Sequence, residues 1–131
     1  VREMSIEEKE FPPKKIHSYI STAKNSLLTP TQYEQYVDSS FKEIVRDVYH
    51  KYQKKLQENN ALDFDDILIK THSIFQNAEV LASYQEKYKY IMVDEYQDTN
   101  ITQYEIIKML ASKYRNLVVV GDDWQSIYSW R

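Results

Sequence analysis

No cysteine occurs in the 131 residues, so neither a disulfide framework nor a thiolate metal site can be built, and the usage fits a cytoplasmic setting. Glycine is nearly as scarce, with Gly121 standing alone. A loop that cradles nucleotide phosphates through successive backbone N–H groups needs several glycines close together, and none can be written within these residues. No apolar run approaches the ~18 residues that suggest a membrane span, and no signal-peptide pattern opens the chain. No membrane partner is therefore expected. The three histidines, His17, His50 and His72, show no ligand spacing and are assigned to surface or packing roles. A net charge of −3 argues against a simple polyanion binder.

What is present suits one ordinary domain or parts of two small ones. Apolar residues make up 42% of the chain, enough for a core, and 28% are charged, which excludes bulk disorder. The first sixty residues are nearly balanced in charge. The acidic surplus falls in the second half, where Asp63, Asp65, Asp66, Asp94, Glu95, Asp98, Asp122 and Asp123 form short groups. Carboxylates grouped in this way either cap helices or hold a cation.

Residues 1–10 are polar, mixed in charge and followed by Pro12-Pro13, and read as a flexible lead-in. Ile16, Tyr19, Ile20, Ala23 and Leu27 predict a helix over 16–28. Thr29, Pro30 and Gln32 form a helix start, with an N-cap, a first-turn proline and a capping box. The apolar stripe from Tyr33 through Val37, Phe41 and Val48 to Leu56 then predicts one helix of about seven turns, unbroken before Asn59-Asn60. Asp63 is placed to cap another helix, with Ile67, Leu68, Thr71, Ile74 and Phe75 as its buried face. A helix over 80–88 follows.

The pattern changes at Tyr90. Tyr90-Ile91-Met92-Val93 and Leu117-Val118-Val119-Val120 are short apolar runs, each ending at acids, and read as strands buried on both faces. Between them, 101–113 reads as a helix with a capping box from Asn100 and Gln103. Strand, helix and strand over about thirty residues is a parallel βαβ unit. Ligands of such sheets sit beyond the carboxyl ends of the strands, here Asp94-Glu95 and Asp122-Asp123. Two readings of Asp94-Glu95 fit. Either Asp94 and Asp98 cap the following helix, or the adjacent pair divides the work of nucleotide hydrolysis, one orienting Mg²⁺ and the other the attacking water.

The phrase Val93-Asp94-Glu95-Tyr96-Gln97-Asp98-Thr99-Asn100, taken with Val119-Val120-Gly121-Asp122-Asp123-Trp124-Gln125-Ser126-Ile127-Tyr128-Ser129-Trp130-Arg131, resembles motifs II and III of the superfamily 1 helicases of the UvrD/Rep/PcrA group. The family's motif III is close to VVGDxxQSIYxxR, and the two phrases lie at the family's separation. Leu62-Asp63-Phe64-Asp65-Asp66-Ile67-Leu68 is similar to the family's LDFDDLL. Ile20-Ser21 with Lys24-Asn25 is similar to its IS-x-x-KN segment. The resemblance runs from about Phe11 to Arg131. Trp124 departs from it, standing where the family usually has a small or acidic residue.

The resemblance implies a mostly α chain with a small parallel βαβ unit, part of a RecA-like (P-loop NTPase) α/β domain with a helical insertion. Residues 11–60 would be the insertion, domain 1B, and 61–131 part of domain 1A. Asp94 would help hold Mg²⁺ through water, and Glu95 would activate the hydrolytic water. Gln125 would contact the γ-phosphate of ATP. Tyr128 and Trp130 would lie along single-stranded DNA, Trp130 stacking on a base, with Arg131 nearby. For this aromatic pair core packing is the plainer alternative, although stacking suits a motor indifferent to sequence. The family's phosphate-binding loop and second RecA-like domain are not in these residues. The chain is thus expected to be an internal piece of an ATP-dependent 3′-to-5′ DNA helicase, inactive alone as an ATPase. Expected partners are single-stranded DNA, single-strand/duplex junctions and the rest of the helicase chain. Open strand edges invite self-association. Two other readings remain: the motor subunit of a helicase–nuclease, and a non-catalytic module that binds DNA or a partner.

Overall fold

The computed structural model describes residues 1–122. Gln125, Tyr128, Trp130 and Arg131, with Asp123 and Trp124, lie outside the described residues. The chain divides into two compact units, Val1–Ile67 and a second beginning at Leu68.

The first unit is helical. Helix α1, Pro13–Asn25, starts at a proline whose missing N–H costs nothing at that position. Ile16, Ile20 and Ala23 recur on one face and are buried. The helix ends with Leu27 at φ 59°. There the Leu28 N–H reaches the Ala23 carbonyl at 2.9 Å and the Leu27 N–H the Lys24 carbonyl at 2.9 Å, the paired bonds of a Schellman end. Asn60, at φ 47°, closes a later helix in the same way. A left-handed residue usually means glycine; in this chain Leu27 and Asn60 take that role.

The capping box at Thr29 forms as expected. The Gln32 N–H donates to Thr29 Oγ1 at 3.3 Å, and the Thr29 N–H donates to Gln32 Oε1 at 2.9 Å. The helix it opens is short. Helix α2 covers Pro30–Tyr33, a single 3₁₀ turn follows, and Val37 is extended at φ −81°, ψ 106°. Helix α3, Ser40–Glu58, then begins afresh with Ser39 Oγ accepting from the Lys42 N–H. The expected single long helix is therefore two. The apolar stripe runs across the break, but Ser39 accepts from the Lys42 N–H and Asp38 from the Lys42 ammonium, local bonds that compete with helical hydrogen bonding and favour a cap.

Packing of α1, α2 and α3 buries Ile16, Ile20, Ala23, Tyr33, Val45, Val48 and Tyr49 in one cluster. The Tyr49 hydroxyl donates to the Leu28 carbonyl at 2.9 Å, so its ring is buried without stranding its polar tip. Val1, Met4 and Ile6 from the lead-in pack against this cluster, together with Phe11.

Beside the cluster lies a polar centre. Lys24, 1% exposed, donates from Nζ to Asp63 Oδ2 at 2.7 Å and to Asp66 Oδ1 at 2.8 Å. The Tyr52 hydroxyl donates to Asp63 Oδ2 at 2.8 Å, Gln53 Nε2 to Asp66 Oδ1 at 3.1 Å, and the Asp66 N–H to Asp63 Oδ1 at 2.8 Å. Burial pushes the Asp63 carboxyl up, but the bonds from Lys24, the Asp66 N–H and Tyr52 outweigh it and hold the group below its ordinary 3.8. Burial raises the Tyr49 and Tyr52 phenols above their ordinary 10.0, with help from the nearby carboxylates. The two signs bracket a pH window. The depressed Asp63 contributes stability that is present above its unfolded value and is lost as pH falls through the folded one. The raised phenols contribute stability that is present below about 10 and is lost as pH climbs through their folded values. Urea denaturation at stepped pH should therefore show a plateau between about pH 5 and pH 9 that falls away on both sides. A steady rise in stability past pH 10 would contradict these assignments.

Helix α4, Phe64–Ile74, contains the division between the units. Its buried residues differ from the expected face. Phe75, just past its end, is buried as expected, but within the helix the buried residue is Asp66, whereas Ile67 and Ile74 are exposed. Periodicity marks where apolar residues lie, but here the ion pair with Lys24 decides which side of the first turn faces inward.

In the second unit, α5 spans Ala78–Lys87 and is capped by Asn77. Strand β1 is Ile91–Val93, α6 is Ile101–Ala111, and β2 is Leu117–Val119. The strands are parallel, with Ile91 opposite Leu117, Met92 opposite Val118, and Val93 opposite Val119. Gln85 fastens α5 to α6, donating to the Met109 carbonyl at 2.8 Å and to Ser112 Oγ at 2.9 Å. The strands were expected to be buried on both faces. They are not: Met92 is 74% exposed, and Leu117, Val118, Val119 and Val120 are all exposed. Burial on both faces requires layers above and below a wider sheet, and among the described residues the sheet has only two strands.

Candidate nucleotide site

Asp94 and Glu95 follow β1 directly, and Gly121-Asp122 stand just beyond β2. Because the strands run parallel, both acid-bearing ends fall on the same side of the sheet. The strand ends are knitted together: the Val120 N–H donates to the Val93 carbonyl at 2.8 Å and the Tyr96 N–H to the Val120 carbonyl at 3.0 Å. The arrangement puts the expected acids where an α/β sheet presents its ligand.

Helix capping does not account for these acids. The N-cap of α6 is Asn100, whose side chain accepts from the Gln103 N–H at 2.9 Å while Gln103 Oε1 accepts from the Asn100 N–H at 3.0 Å. Asp94 Oδ1 instead accepts the Glu95 N–H at 2.9 Å, and both acidic residues are exposed. Glu95 itself has φ 51° and ψ 42°, left-handed backbone that a residue with a Cβ seldom adopts. Such strain clusters at sites where geometry serves function.

The donor chemistry suits a magnesium ion better than a metal built into the protein. Among the described residues no group of three or more His, Cys, Asp or Glu side chains could enclose a metal. Mg²⁺ keeps several waters and takes one or two carboxylates plus substrate phosphates, and an exposed Asp94 fits that requirement. The second unit also has a groove of about 490 Å³ lined by residues including Tyr104, Ile107, Lys108 and Leu117. Asp94 and Glu95 do not line it, so it is not the acid-bearing shelf.

Two features escaped the sequence reading. Gln97, between the acids, donates from Nε2 to Glu95 Oε2 at 2.6 Å and accepts the Asp122 N–H on Oε1 at 3.0 Å. Lys24, buried against Asp63 and Asp66, joins the Ile20–Asn25 and Leu62–Leu68 phrases; Asn25 adds a bond to Asp65 Oδ1 at 3.3 Å. Both residues lie in the phrases quoted above, but nothing local in those phrases reports which partners their side chains reach.

Fold and site together define a mostly α chain bearing an acid-tipped, parallel strand–helix–strand unit. Over residues 1–131 the chain matches the UvrD/REP helicase N-terminal domain. It is 47% identical to the ATP-dependent DNA helicase PcrA of Bacillus subtilis across its full length, and 44% identical to that of Leuconostoc citreum. It is 48% identical over 97% of its length to the PcrA of Staphylococcus aureus. The chain belongs to the UvrD/REP helicase N-terminal domain family. It spans 18% of the length of these relatives.

Proposed function

We propose that the chain is part of an ATP-dependent DNA helicase that moves 3′ to 5′ on single-stranded DNA and unwinds duplex at single-strand/duplex junctions. The observation that carries this reading is the pair Asp94-Glu95 at the carboxyl end of β1, beside the end of β2, in a member of this helicase family. The relatives' designation as ATP-dependent DNA helicases supports the same activity here.

Asp94 is assigned to the Mg²⁺ site through water. The ion, when bound, neutralises charge on the phosphate oxygens. Glu95 orients the attacking water and accepts its proton. Its carboxylate is exposed and accepts from Gln97 through Oε2, which leaves Oε1 open to a water on the solvent side of the shelf. Gln125 is assigned to the γ-phosphate, Tyr128 and Trp130 to single-stranded DNA, and Arg131 to a charge contact nearby. Residues 11–60 are assigned to the helical insertion and 61–131 to the first RecA-like domain. No helix among the described residues is long and apolar enough to cross a membrane; with no cysteine in the chain, a cytoplasmic location is proposed.

The test uses the full-length parent protein. Its DNA-stimulated ATP turnover should fall by about 10²–10⁴-fold on Glu95→Gln, the range for a positioned general base. The 131-residue polypeptide alone should not turn over ATP. Turnover by that polypeptide, itself abolished by Glu95→Gln, would show that the site is complete without a glycine-rich loop and would overturn this assignment of parts.

A further inference from the structure

The side chain of Gln97 bridges the two strand ends. Its Nε2 donates to Glu95 Oε2 at 2.6 Å, and its Oε1 accepts from the Asp122 N–H at 3.0 Å. The chemistry fixes which end of the amide faces which partner. Reversed, the amide oxygen would meet a carboxylate oxygen, and the NH₂ group would meet a backbone N–H. Gln97 sits in the one-turn 3₁₀ helix Tyr96–Asp98, whose Asp98 N–H donates to the Glu95 carbonyl at 2.9 Å. The carboxylate and the glutamine that holds it are thus set by the same turn.

Gly121 completes the picture. No glycine in the described residues has positive φ, so Gly121 is not required for left-handed backbone. A Cβ at that position would lie 2.6 Å from Gln97 Oε1 and 3.4 Å from the backbone nitrogens of Tyr96 and Gln97. The only glycine of the chain leaves room for the Gln97 amide oxygen, which an added Cβ would displace.

We propose that Gln97 is a positioning residue for ATP hydrolysis: it holds the Glu95 carboxylate against the water and ties its orientation to the segment that follows β2. Movement of Gly121-Asp122 is then transmitted through one amide to the group that activates water. This inference rests on the assignment of Glu95 under the proposed function.

The experiment compares Glu95→Gln, Gln97→Leu, Gly121→Ala and the double variant Glu95→Gln/Gln97→Leu in the full-length parent protein. ATP turnover is measured with and without single-stranded DNA, in steady state and in single turnover. Gln97→Leu should lower the DNA-stimulated kcat by about ten- to a hundredfold, the scale of a misplaced catalytic group, with KM for ATP within about twofold of the parent value. Gly121→Ala, which keeps the amide but crowds it, should shift kcat in the same direction. In the Glu95→Gln background, removal of Gln97 should cost less than about twofold more, since groups that act as a unit are non-additive. Should Gln97→Leu not fold, Gly121→Ala decides the matter by the same kcat criterion. Normal kcat in Gln97→Leu, or a full multiplicative loss on top of Glu95→Gln, overturns the positioning role while leaving the helicase assignment intact. Normal turnover in Glu95→Gln overturns the assignment of Glu95 itself.

Discussion

Lys24→Met should destabilise the first unit by about 3–5 kcal/mol, the range for removing one partner of a buried ion pair. The lysine is 1% exposed and its ammonium bonds two carboxylates, of which Asp66 is 3% and Asp63 17% exposed. Methionine fills much of the volume, so a cavity contributes little. The cost comes from two carboxylates left facing one another out of water. It should therefore depend on pH in a direction opposite to the parent chain. Without the ammonium the Asp63 carboxyl loses the bond that holds it down and burial raises it, so the variant regains stability as pH falls towards 4. Lys24→Met/Asp66→Leu should be less damaged than Lys24→Met alone, because the second change removes a stranded charge. Urea titrations of the 131-residue polypeptide at pH 7 and pH 4.5 test both points. A loss below about 1 kcal/mol at pH 7, or the same loss at both pH values, would show that the centre is solvated.

That centre also shows where sequence reading stops. The capping boxes at Thr29 and Asn100 were legible because donor and acceptor lie three residues apart, and both form. The parallel strand–helix–strand unit was legible because two short apolar runs flank one capped helix, and the pairing of Ile91 with Leu117 follows. The join between α2 and α3 was missed because Val37 and Phe41 continue the stripe across it, while the new cap at Ser39 is a single hydroxyl. Lys24 meets Asp63 and Asp66 across about forty residues, and no local pattern reports a contact of that range. The strand runs mark residues suited to a sheet covered on both faces, so their exposure here follows from a sheet of two strands rather than from their composition. At the candidate site, Asp94 and Glu95 were legible from their place after an apolar run. The amide that joins Glu95 to Asp122 was not, because it depends on how closely the two strand ends approach at Gly121.

Glu95→Asn should separate what the backbone of this residue costs from what its carboxylate does. At φ 51°, ψ 42° a residue with a Cβ is held in a conformation costing roughly 1–2 kcal/mol, which asparagine tolerates best among such residues. The substitution also forfeits the Gln97 bond, which at an exposed site contributes a net of roughly 0.5–1.5 kcal/mol. These terms nearly offset, so the unfolding free energy of the full-length protein should stay within about 1 kcal/mol of its parent value. ATP turnover should nevertheless fall by about 10²–10⁴-fold, since the shorter amide can neither reach the same point nor accept the proton. Glu95→Val provides the contrast. It lacks the carboxylate equally, but its β-branched side chain is poorly suited to left-handed backbone, so it should lose about 1–2 kcal/mol of stability as well as turnover. If both variants unfold alike, the backbone at Glu95 is not held left-handed. If asparagine retains turnover, the carboxylate is not the base. Stable protein without turnover for asparagine, and destabilised protein without turnover for valine, would place the strain in the backbone and the chemistry in the side chain. The turn after β1 would then keep a costly conformation, the one in which the carboxylate meets the Gln97 amide.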